Sequence, residues 1–139
     1  EVANYIKGML NGLFFRYFSS GKTKTIINYK NNKISGTAIE FFESGTISKV
    51  ENYSGGVLNG KSFYYYKSGR LKIVVKYVKG EKQGDYSVYN YNGTLSEEGH
   101  YKRNKLDGNI ELYDNSGHLE KTIFFKNGVA KIYSQTHGV

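Results

Sequence analysis

The chain has 139 residues and contains no cysteine, no proline and no tryptophan, with a single methionine. Without cysteine there is no disulfide framework and no thiolate metal site. No apolar run approaches the roughly 18 residues that a membrane-spanning helix needs. A signal-peptide pattern is missing from the start, which opens on Glu1 and so reads as a processed or trimmed product. No window shows a 3.6-residue period, and helix is not expected. Apolar residues make up 38% of the chain, low against the roughly 45–50% of globular domains counted with glycine. Tyrosine, at 14 copies, supplies much of that fraction.

A strict 24-residue period is present instead. Glycines stand at Gly12, Gly36, Gly60, Gly84 and Gly108, and again at Gly21, Gly45, Gly69, Gly93 and Gly117. Aromatics keep the same step in two series. One runs Tyr5, Tyr29, Tyr53, Tyr77, Tyr101, Phe125, and the other Tyr17, Phe41, Tyr65, Tyr89, Tyr113. Fixed self-similarity of this length marks a repeat architecture. The units are 12–35, 36–59, 60–83, 84–107 and 108–131, preceded by a half-unit 1–11 and followed by a tail 132–139. Together they form a single repeat domain that could belong to a longer array.

Within a unit, two short apolar runs are bounded by Gly, Asn and Ser, the pattern of a β-hairpin. One connection ends in Ser-Gly or Asn-Gly, and the other carries Gly8, Asn32, Gly56, Gly80, Asn104 and Gly128 in register. Glycine and asparagine enter the left-handed region most readily, so backbone geometry specifies both turns. A hairpin of this kind cannot bury its own face. The expected fold is all-β: an elongated single-layer antiparallel meander of tandem hairpins, about 10 Å longer with each unit.

Strand parity gives further expectations. Ile47, Leu71, Leu95 and Leu119 lie six residues before Tyr53, Tyr77, Tyr101 and Phe125, an even spacing that puts each pair on one face. The Tyr17 series is expected to form the core ladder. In the last two units Tyr86, Val88, Ile110 and Leu112 take the opposite parity. Phe18, Phe42, Tyr64 and Tyr66 also fall off the ladder parity and predict an exposed aromatic patch. Tyrosine-rich patches suit protein interfaces.

The run Gly60-Lys61-Ser62-Phe63-Tyr64-Tyr65-Tyr66-Lys67-Ser68-Gly69-Arg70-Leu71, closed by Tyr77-Val78-Lys79-Gly80-Glu81-Lys82-Gln83-Gly84, resembles the MORN-repeat variant of bacterial YwqK-type antitoxin-like proteins. Gly108 to Asn127 resembles it too. The tryptophan often found two residues after the opening glycine is replaced by Phe14, Ala38, Ser62, Tyr86 and Ile110. The resemblance implies hairpin repeats that bind proteins in an antitoxin, immunity or adhesin setting, with membrane association proposed for the wider class. It implies no catalytic residue. Localisation stays open: cytoplasmic for an antitoxin, cell surface or secreted if a leader is removed.

The residues themselves offer little chemistry. His100, His118 and His137 lack ligand spacing, and no metal is expected. Ser20, Ser44, Ser68 and Ser116 are turn residues, and adjacent Glu97 and Glu98 point to opposite sides of a strand. No cofactor and no enzymatic activity are expected. The charge pattern is more informative. The second connections, windows 5–11, 29–35, 53–59, 77–83, 101–107 and 125–131, hold Lys7, Lys30, Lys33, Lys79, Lys82, Lys102, Arg103, Lys105, Lys126 and Lys131. They hold only two acids, Glu81 and Asp107, and so carry the whole net charge of +8. Stacked hairpins would line these windows along one basic edge. The expected partner is a protein, with an anionic lipid surface as the alternative and a glycan as a second alternative. Nucleic acid is not expected. The partner's identity, the oligomeric state and the number of repeats in the parent protein stay open.

Overall fold

The computed structural model describes residues 4–131, so the tail 132–139 and His137 lie outside it. A small hairpin, β1 (Tyr5–Ile6) and β2 (Met9–Leu10), comes first. The first repeat is β3 (Gly12–Tyr17), β4 (Thr23–Lys30) and a return strand β5 (Lys33–Ile34); the second is β6 (Gly36–Phe41), β7 (Ile47–Ser54) and β8 (Val57–Leu58). The third comprises β9 (Gly60–Tyr65) and β10 (Leu71–Val78), and its return segment is fused with the next opening strand as β11 (Glu81–Tyr89). Then come β12 (Leu95–Lys102), β13 (Lys105–Leu106), β14 (Gly108–Tyr113), β15 (Leu119–Lys126) and β16 (Val129–Lys131). From β3 to β16 the principal strands pair in chain order, all antiparallel, with β5, β8 and β13 folded back on β4, β7 and β12. Among the described residues there is no helix, and the principal strands pack on their neighbours in the sheet, with β2 also touching β4, so the sheet is one open layer.

The two turn types follow from the sequence. At each tip a three-residue loop closes the hairpin. Phe18 N–H donates to the Lys22 carbonyl at 2.8 Å, and Gly21, at φ +88°, donates to the Phe18 carbonyl at 2.9 Å. A tight turn finished by glycine in the left-handed region is the usual three-residue hairpin loop. At the opposite edge the turns have two residues, both at positive φ: Lys7-Gly8, Asn31-Asn32, Gly55-Gly56, Lys79-Gly80, Arg103-Asn104 and Asn127-Gly128. That twist matches the twist of the flanking strands.

The parity expectation fails at one recurring place. Arg16 pairs with Thr25, but Tyr17 pairs with Thr23, leaving Lys24 as an extra residue. The same shift recurs around Ser48, Lys72, Ser96 and Glu120. Each is a β-bulge, which adds one residue to one strand only. It reverses side-chain parity, so Ile47, Leu71, Leu95 and Leu119 lie on the face opposite Tyr53, Tyr77, Tyr101 and Phe125. The Tyr17 series likewise lies away from the core, and Tyr17 itself is 50% exposed.

The core belongs to the other face. Val75, Tyr86 and Ile110 are buried there, packed with Tyr64, Ile73, Tyr77, Val88, Tyr101, Leu106, Leu112 and Phe125. This is the packed face; its reverse is the open face. Directly paired residues form a row across ten strands of the packed face: Arg16, Thr25, Glu40, Lys49, Tyr64, Ile73, Val88, Glu97, Leu112 and Lys121. The matching row on the open face is Phe15, Ile26, Ile39, Val50, Phe63, Val74, Ser87, Glu98, Glu111 and Thr122. The apolar stretch therefore changes face along the array.

Candidate functional surfaces

The four aromatics expected as one exposed patch do not form one. Tyr64 belongs to the packed face, where burial, then the neighbouring Tyr77 and Glu51, push its pKa up to about 12. Its parity follows the position two residues after the opening glycine, which carries the core, and not the Tyr17 series. Phe18, Phe42 and Tyr66 instead begin the three-residue tips and are half-buried. Lys24 Nζ stands 5.8 Å over the Phe18 ring and Lys72 Nζ 5.5 Å over the Tyr66 ring. Both lysines are bulge residues, so the bulge turns a cation toward the tip.

The tips of the third and fourth repeats are tied together. Tyr66 O–H donates to the Tyr89 carbonyl at 2.7 Å, and its ring meets Tyr91 edge-on at 5.3 Å. Arg70 donates to the Tyr91 carbonyl at 3.3 Å. Tyr91 remains 64% exposed. The sequence reading missed Tyr91 because it falls on neither aromatic series.

The basic windows do line one edge. Each two-residue turn bonds the preceding one: Asn32 N–H donates to Leu10, Gly56 to Ile34, Gly80 to Leu58, Asn104 to Lys82 and Gly128 to Leu106. An amide side chain adds a second tie. Asn11, Asn59 and Gln83 each accept, at 3.0 Å, the N–H of the first turn residue of the next hairpin, Asn31, Lys79 and Arg103. These amides recur at multiples of 24, a signal the sequence held. Lys7, Lys30, Lys33, Lys79, Lys102, Arg103, Lys105, Lys126 and Lys131 are exposed along this edge. Lys82 is half-buried, with Nζ 5.0 Å from the Tyr101 ring centroid. None of the ten makes an ion pair among the described residues. Val78, Lys79, Glu81, Gln83, Lys102 and Arg103 line an open cleft between two successive turns.

Polar clusters occupy both faces. On the packed face Lys49 Nζ lies 3.3 Å from Glu40 and 3.2 Å from Glu51, and Tyr53 donates to Glu51. Burial opposes the charge on Lys49, but the bond to Glu51 and the fields of Glu51 and Glu40 outweigh it and raise its pKa. Tyr86 O–H donates to Glu97 at 2.6 Å; burial first, then that bond, raises the Tyr86 pKa. On the open face Glu98 and Glu111 are direct cross-strand partners, and Tyr113 O–H reaches both, at 2.7 and 2.6 Å. These bonds, Glu111 first, raise the Tyr113 pKa. Glu97 and Glu98 point to opposite faces, as expected from their adjacency. His100 pairs with Asp85 at 3.0 Å, and His118 lies 3.5 Å from Asp114. No group of three or more metal-ligating side chains comes together among the described residues.

Geometry thus defines an open array of antiparallel hairpin repeats with extended surfaces. The MORN repeat variant family matches residues 10–31, 82–103 and 106–127. These three stretches begin at positions separated by multiples of 24, and the structure builds the same hairpin over the intervening residues 34–55 and 58–79. No match was found among curated proteins.

Proposed function

We propose that this chain is a non-enzymatic, protein-binding repeat module of bacterial, YwqK-like type, working in an antitoxin, immunity or adhesin system. The observation that supports this most is the fixed aromatic tip. Tyr91 projects into solvent, its ring edge-on to a Tyr66 anchored on the Tyr89 carbonyl and its own carbonyl bonded by Arg70. A rigid aromatic with a neighbouring cation is the usual anchor of a protein interface, because little side-chain freedom is lost on binding. The purified chain should form a stoichiometric complex with the product of a flanking gene, and Tyr91→Ala should weaken it at least about tenfold, as expected of an interface hot spot. Recovery of lipid or glycan alone, with no protein, would defeat the proposal.

A second reading is docking on an anionic membrane surface through the basic edge. The cations around the cleft at Lys79, Lys102 and Arg103 favour it. Flotation with anionic vesicles at low salt, lost as salt rises, is its signature.

A further inference from the structure

We propose that the chain pairs with a second copy of itself, open face against open face, about a two-fold axis parallel to the strands through the tip of the 36–59 hairpin. Phe15, Ile26, Ile39, Val50, Phe63 and Val74 neighbour one another directly on six successive strands. None of the five buried side chains lies on this face; Val75, Tyr86, Ile110, Glu51 and Ser62 are all on its reverse. The six are half-buried by one another, and Leu13, Tyr17 and Ile47 beside them on this face are 50%, 50% and 37% exposed, so the single chain leaves the face uncovered. Its midpoint falls between Ile39 and Val50, the two strands of one hairpin. A two-fold there sets Ile39 over Val50 of the second copy, and likewise Ile26 over Phe63 and Phe15 over Val74. Two sheets so aligned pack about 10 Å apart, the ordinary β-sandwich arrangement.

Two further observations favour a second copy as the occupant. First, the row turns polar at Ser87, and Glu98, Glu111 and Thr122 continue it. All four fall beyond the footprint and stay in water. Second, the basic edges accommodate one another. Window 53–59 is the one second connection without a charged residue. The two-fold brings it opposite 29–35, which carries Lys30 and Lys33. Window 5–11, with Lys7, meets 77–83, where Glu81 stands between Lys79 and Lys82. The footprint, six strands by five residues, is on the order of 450–500 Å² per copy before side-chain relief. Both copies together bury about 900–1,000 Å², below the roughly 1,200 Å² of stable specific interfaces, and the exposed pair Lys61 and Lys76 stands at the margin of the footprint, so the dimer is weak and concentration-dependent.

Sedimentation velocity from roughly 1 µM to roughly 1 mM should show reversible monomer–dimer exchange. Ile39→Lys should weaken association at least about tenfold with an unchanged far-ultraviolet spectrum. Geometry is tested independently of that variant. With no native cysteine, Ser44→Cys and Ser116→Cys each give a unique spin label at a tip. In the dimer the Ser44 labels lie near the axis, within roughly 15–25 Å of each other. The Ser116 labels lie three hairpins to either side of it, about 60 Å apart. A chain that stays monomeric, a dimer indifferent to Ile39→Lys, or a short Ser116 distance overturns the inference. None of these results bears on partner binding at Tyr91, which stands or falls separately.

Discussion

The first two repeats and the last three share one backbone and set their apolar rows on opposite faces. Two residues after the opening glycine stand Phe14 and Ala38 in the first two, and Tyr86 and Ile110 in the last two. In the later repeats these positions, with Val75, make the core. In the early ones the same face carries Arg16, Thr25, Glu40, Lys49 and the buried Glu51, and apolar residues appear on the reverse. Turn and bulge positions are identical in both regions, so local backbone chemistry sets the hairpin. The side chains then choose which face is apolar. A single-layer repeat tolerates that exchange because each unit is stabilised mainly by its neighbours.

The contrast is broken most strongly at the position two residues after the opening glycine. Tyr86 is 5% exposed and bonded to Glu97. Tyr86→Ala should cost about 3–4 kcal/mol, by loss of buried aromatic area and the cavity left behind. Phe14→Ala, at the equivalent position of the half-exposed first repeat, should cost about half as much. Equal losses in urea titrations would show that the two regions are packed alike.

Gly99 sharpens the same point. Its strand pairs it with Tyr86, and a Cβ there would come within 2.3 Å of Ile110 Cδ1 and 2.9 Å of Tyr86 Cε1. Both contacts are side-chain atoms of the core, so Gly99→Ala should destabilise by about 1–3 kcal/mol through overpacking. Thermal melts read this directly; a neutral result would mean that the rings shift freely.

Alkaline titration separates the regions by charge. Burial and carboxylate neighbours raise the pKa of Tyr64, Tyr86 and Tyr101 above the ordinary 10.0. A phenol with a raised folded-state pKa contributes stability that is complete below the unfolded value and lost as pH climbs toward the folded one. The melting temperature should therefore hold to about pH 10 and then fall, and Tyr86→Phe should flatten that fall. Lys49, raised above 10.5, pulls the same way in the second repeat. A profile unchanged by Tyr86→Phe would remove the phenol from this account.

Ser62 marks the crossover. Its side chain is 0% exposed and its Oγ has no hydrogen-bond partner. A buried unpaired hydroxyl carries a desolvation penalty, so Ser62→Ala should stabilise by about 1 kcal/mol. Loss of stability on that change would reveal a partner for the hydroxyl.

The 24-residue lattice made the fold legible, because glycine and asparagine at fixed steps report backbone angles rather than packing. The faces were not legible, for one reason. The bulge inserts Lys24, Ser48, Lys72, Ser96 or Glu120 opposite no residue, and those five share only polarity, which any outward-facing strand position also has. Counting by twos across them therefore placed Tyr64 outside and the Tyr17 series inside. The basic edge could be read because charge and turn coincide in sequence. Tyr91 could not, since only its contact with Tyr66 from the adjacent repeat gives it a role.

The smallest expected effect concerns that edge. Lys79 sits at φ 50° as the first residue of its two-residue turn, where Asn31 and Asn127 stand at φ 50° and 51° in other repeats. Lysine gains nothing locally in the left-handed region, whereas asparagine tolerates it. Lys79→Asn should then stabilise the chain by about 0.5 kcal/mol, leaving the Asn59 tie to the backbone N–H intact. The same change removes one cation from the cleft that also holds Lys102 and Arg103. If the edge serves an anionic surface, the stabilised variant should float less well with anionic vesicles at low salt. A variant that is both more stable and fully competent would show that the lysine is there for neither reason.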